Sequence, residues 1–221
     1  MMRTFSLPLT ALLLLACAGH NGAGSTATRA AATAAPAGAP MSQQEREVAV
    51  QQLEDSKQAF LASVKGLSEA QLRFKPAPDR WSIAEVGEHI VVAEERLYGM
   101  ITEKLVRTPT PPELLAQVQH DDSRITTAVA DRSHKMQAPE MLKPTGRFPT
   151  GAAVVAAFEQ ARSKSLAFAQ TTQDDLRGHA APHPVLKALD GYQWLLLLSS
   201  HCARHTAQIE EVKSAPNFPR S

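Results

Sequence analysis

Four stretches of this chain repeat their apolar residues at helical spacing, and no stretch alternates apolar and polar residues as a strand with one wet face would. A chain patterned this way has four apolar stripes to bury against one another. The expected fold is all-α, a four-helix bundle.

Ser42 with Glu45 forms a capping box that opens the first long helix, in which Ala49, Leu53, Phe60, Leu61 and Val64 keep a helical period to about Leu67. The run Lys75-Pro76-Ala77-Pro78-Asp79 then breaks the chain. The second start is fuller: Ser82 can cap, Glu85 completes the box, and Trp81 can staple onto Val86. Its inner stripe is Ile83, Val86, Ile90, Ala93, Leu97, Ile101 and Leu105, ended by Thr108-Pro109-Thr110-Pro111-Pro112. Residues 107–149 form a long crossover with a short helical candidate around Glu113 to Ala130 and a turn signal at Pro144-Thr145-Gly146. Connections of that length are unusual in a small domain and often functional. Thr150 starts the third helix, with Val154, Ala157, Phe158, Ala161 and Phe168 in step. A polar, Pro-containing loop bearing His179 and His183 leads to Asp190, the N-cap of a fourth helix running to about Val212.

Composition narrows the classes. Of 221 residues, 43% are hydrophobic, and 23 basic against 22 acidic side chains leave a net charge of +1. This excludes a disordered chain, and without a basic cluster no nucleic-acid partner is expected. Arg3 precedes an apolar run, Phe5 to Ala16 (FSLPLTALLLLA), too short to span a bilayer. Residues 1–16 read as a signal peptide, and Leu14-Leu15-Ala16-Cys17 resembles a bacterial lipobox, so Cys17 is the expected lipidation site. Residues 17–41, rich in Ala, Gly and Pro, are the expected flexible tether, and 42–221 the bundle domain. The expected location is the bacterial cell envelope, with a lipid anchor in a membrane and the domain outside the cytoplasm.

The chemistry-bearing residues sit where apolar ones belong. The stripe of the fourth helix reads Trp194, Leu198, His201, His205, Gln208, Val212, with the two histidines four apart and therefore one above the other. Two imidazoles in line form a metal platform but are too few for a tight site. His89, three residues after Val86 and four before Ala93, borders the inner face of the second helix and is the third candidate. Buried imidazoles need partners, and one divalent ion would satisfy all three. The competing reading is independently packed histidines.

Other residues read more blandly. Cys202 is turned about 100° from His201 and reads as a small buried apolar residue. The capping box already explains Glu85, although a proton acceptor one turn from His89 is the alternative. Gln208 can orient His205, and Arg147 is a loop cation or a hold for an anionic group. His120, His134, His179 and His183 read as surface residues.

Taken together, WSIAEVGEHI at 81–90 and HCARHTAQI at 201–209, with PTGRF at 144–148 and DGYQW at 190–194, resemble the DinB-like family, the DinB/YfiT superfamily of four-helix metalloproteins. The resemblance spans nearly all of residues 42–219. It implies helices running up, down, down, up, and a divalent metal held by His89, His201 and His205. Zn or Ni suits three nitrogen donors, with Fe or Mn as alternatives. Relatives include thiol-dependent S-transferases and a mycothiol-dependent isomerase. The expected activity is that of a metal-dependent hydrolase or transferase acting on a small molecule; for an exported domain, where reduced thiols are scarce, thiol S-transfer is disfavoured and hydrolysis needs only water. A non-catalytic metal- or ligand-binding module and a helical interaction domain are the alternatives. Such bundles often associate, so a homodimer is among the expected partners.

Overall fold

The computed structural model describes residues 38–133 and 137–220. The signal segment, Cys17, most of the tether and His134 lie outside the described residues. No helix among the described residues is long and apolar enough to cross a membrane. The chain joins the core at Met41, which is buried, one residue ahead of the expected domain boundary.

Four long helices carry the structure: α1 (Gln43–Val64), α3 (Ile83–Gly99), α6 (Gly151–Thr171) and α7 (Gly191–Lys213). Each begins where its cap predicts. The backbone N–H of Ser42 donates to Glu45 at 2.8 Å and that of Ser82 to Glu85 at 2.7 Å, closing both boxes. Asp190 accepts from the N–H of Gln193 at 2.8 Å and opens α7.

α1 packs on α6 and α7, and α3 packs on the same two helices, so α1 and α3 occupy opposite corners. Cross-links set the directions. Ser199 bonds Gln52, Cys202 reaches the Ser56 carbonyl and Lys213 reaches the Ser63 carbonyl, so α1 and α7 are parallel. Arg162 pairs with Glu94 while Val154 lies against Gly87, so α3 and α6 are also parallel. Arg162 bonds the Leu53 carbonyl and the tilted ring of Phe158 packs on Phe60, which sets α6 antiparallel to α1. The order is up, down, down, up. Gly87 permits the α3–α6 approach, since a Cβ there would lie 2.7 Å from Cγ1 of Val154.

Parallel α3 and α6 require the chain to return along the bundle between them. The return leaves α3 through a π turn (Met100–Lys104) and a 3-10 turn (Leu105–Arg107). The helix expected around Glu113 to Ala130 is two pieces, α4 (Pro112–Leu115) and α5 (Ser123–Ala130), of which α5 lies along α7. A 3-10 turn, Glu140–Leu142, follows near α3.

Three further features depart from the expectations. The loop before α7 is a hairpin, β1 (Ala180–His183) and β2 (Lys187–Asp190), pairing Ala180 with Asp190 and His183 with Lys187. Strands this short show no period. Their geometry comes from the turn, where Lys187 adopts φ 62° and Nδ1 of His183 accepts the N–H groups of Val185 and Leu186. A short helix, α2 (Glu69–Arg73), follows α1 on its own Ser68–Gln71 capping box. In α6 the inner stripe includes Arg162 and Ser165, both fully buried, while Phe168 is only partly buried.

Arg162 is the centre of the packing. Its guanidinium forks onto Glu94 of α3 at 2.8 and 2.9 Å and donates to the Leu53 carbonyl and Ser56 hydroxyl of α1 at 2.8 and 2.6 Å. It also reaches the Leu198 carbonyl of α7, and Ser165 donates to Glu94 at 2.7 Å. Burying such a pair is costly, and full hydrogen bonding offsets the cost. Removing one partner strands the other charge. Glu94→Ala is therefore expected to lower unfolding free energy by about 3–5 kcal/mol, with the Glu94→Leu/Arg162→Met pair losing much less. Denaturant titration checks this, and equal losses in both would contradict it.

Candidate metal centre

α3 and α7 bring His89, His201 and His205 together. One potential ligand nitrogen from each lies within 4.8 Å of the others, and among the described residues no carboxylate or thiol joins them. The ring centroids are 4.5 to 5.0 Å apart. His89 is 3% exposed, and its ring also packs on that of Trp81, with centroids 5.0 Å apart.

Hydrogen bonds set which nitrogens face inward. Nδ1 of His89 donates to the Leu142 carbonyl at 2.7 Å, and Nδ1 of His205 donates to Oε1 of Gln208 at 2.8 Å. With the proton on Nδ1 in each ring, both Nε2 atoms carry lone pairs. They lie 3.2 Å apart. Two lone pairs at that separation repel unless a positive charge sits between them.

A proton is a poor candidate. Burial, then the neighbouring His89, pushes His205 down to about 3. Burial also lowers His89, against the Leu142 hydrogen bond, and lowers His201 strongly, aided by His205 and His89. Burial thus favours the neutral form of all three imidazoles, the form that ligates metals. A divalent cation fits this donor set.

The remaining residues sort clearly. Glu85 is held by its cap and by Lys75 at 2.7 Å, which accounts for it without a role as proton acceptor. Cys202 points to α1, where burial pushes its thiol up to about 11. Arg147 forks onto Glu95 at 2.6 and 3.0 Å. His179 donates to the Thr108 carbonyl, His183 is in the hairpin turn, and His120 lies 3.8 Å from Asp190.

Residues 52–209 match the DinB superfamily model. The chain belongs to the DinB superfamily. It is 27% identical over 150 residues to the uncharacterized protein YuaE of Bacillus subtilis, covering 68% of this chain and 88% of that one. Among solved structures it is similar to YfiT from Bacillus subtilis, described as "a probable metal-dependent hydrolase with an unusual four-helix bundle topology". That similarity has a TM-score of 0.49 and 16% identity, over 81% of this chain and 91% of that one.

Sequence reading of this DinB-superfamily chain missed one site-bordering residue. Glu88, next to His89, is 3% exposed and engages the Thr145–Arg147 backbone. The available signal was its position beside a candidate ligand on a helix whose neighbours Gly87, His89, Ile90 and Val91 are all buried.

Proposed function

We propose that the chain binds one divalent metal ion through His89, His201 and His205 and acts as a metal-dependent hydrolase or transferase on a small molecule. The convergence of three buried or half-buried imidazoles, with Nε2 of His89 and His205 facing each other 3.2 Å apart and both Nδ1 atoms engaged by Leu142 and Gln208, carries this reading. Structural sites normally close with four protein ligands, and three suit an ion that keeps a position for water or substrate. The ion would supply Lewis acidity to that water or to a substrate oxygen. The chain's own part is to hold the imidazoles neutral and oriented, through the Leu142 carbonyl and Gln208, and to cover one side with Trp81. Nitrogen donors favour Zn or Ni, with Fe or Mn also accommodated.

Elemental analysis of protein prepared without chelators is expected to find one ion per chain, lost in His201→Ala/His205→Ala. A folded, metal-free wild type would sink the proposal. A screen of ester, amide and electrophile substrates separates an enzyme from a metal-binding module, and turnover unaffected by His89→Ala would remove the proposed chemistry.

Export and a lipid anchor at Cys17 are proposed on the composition of residues 1–17 alone. Cys17→Ser is expected to move the protein from the membrane fraction to the soluble one; unchanged fractionation would count against lipidation.

A further inference from the structure

We propose that Glu88 is a positioning residue for the metal centre: it clamps the end of the crossover so that the Leu142 carbonyl fixes the tautomer and orientation of His89. The zinc arm of the test below rests on the proposed metal binding, and the tautomer arm does not.

The Glu88 carboxylate is fully engaged. One oxygen accepts from the backbone N–H of Thr145 at 2.6 Å and its hydroxyl at 3.1 Å, and the other accepts from the N–H groups of Gly146 and Arg147 at 3.0 and 3.2 Å. Three consecutive N–H groups turned onto one anion form a nest, which Gly146 makes accessible by adopting φ 79°. With its oxygens so occupied, Glu88 is poorly placed to serve as ligand or base.

What it holds lies three residues beyond the His89 acceptor. Leu142 is joined to Thr145 through Lys143 and Pro144, and the proline ring restricts the slack between them. Besides the exposed Arg147–Glu95 pair, the crossover is held at two adjacent buried positions of α3, Glu88 on 145–147 and His89 on 142. A loop this long loses entropy when it is held. The nest supplies several hydrogen bonds to a charged group toward that cost, against a single one from His89. Without the clamp the Leu142 carbonyl is free to withdraw, and the His89 proton is no longer directed to Nδ1, away from the shared space. The exposed Arg147–Glu95 pair joins the same segment to α3 but is worth little at the surface, so it serves as the control.

The experiment compares the full chain carrying Glu88→Gln with Glu95→Gln. Nitrogen NMR of the histidine rings in metal-free protein is expected to show His89 as the Nδ1–H tautomer in wild type and Glu95→Gln, and as a mixture in Glu88→Gln. Zinc affinity, measured by competition with a chromogenic chelator, is expected to fall about 10- to 100-fold in Glu88→Gln alone. An unchanged His89 tautomer in folded Glu88→Gln overturns the proposal, as does an equal loss of affinity in the control. If Glu88→Gln does not fold, Thr145→Val removes one of the four bonds; a smaller shift in the same direction supports the clamp, and no shift overturns it. A wild type that binds no zinc defeats the metal reading, while the tautomer measurement still decides the role of Glu88.

Discussion

A single guanidinium fixes how the four long helices meet. Arg162 is fully buried and takes partners from α1, α3 and α7 while sitting on α6. A slip of any helix by one turn, about 5.4 Å, would leave a charge or carbonyl in the core without its partner. That constraint reaches the site directly. His89 is five residues from Glu94 on α3, and His201 three from Leu198 on α7, so the register locked at Arg162 determines that the three imidazoles converge.

The crossover follows from the same topology. Parallel α3 and α6 oblige the chain to travel back along the bundle, and the returning segment supplies the Leu142 carbonyl and the 145–147 amides. A second buried arginine, Arg177, secures the other end of the assembly. It gathers Glu45 at the start of α1, Asp122 before α5 and the α7 cap Asp190, and stacks on Tyr192 at 4.2 Å. Helix starts are thereby tied to one another while the bundle centre is tied by Arg162.

Much of this was legible in the residues because the signals are local. The caps at Ser42, Ser82 and Asp190 depend on side chains three positions away, and they open their helices where expected. His89, His201 and His205 stood out as polar residues on apolar stripes. The misses are non-local. Arg162 and Glu94 are 68 residues apart, and no local pattern marks them as a buried pair. Glu88 likewise finds its partners 57 to 59 residues away. The hairpin before α7 is too short for any period, and its buried residues Ala180 and Ala188 share a small cluster with Val118 from the crossover.

The most direct measurement is X-ray absorption at the metal edge of the full chain loaded with one equivalent of zinc. The expected result is three imidazole nitrogens bound to the ion, with light scatterers filling the remaining positions and one nitrogen lost in His89→Ala. An all-oxygen shell, or a spectrum identical in wild type and His89→Ala, would contradict a metal centre built by α3 and α7 together.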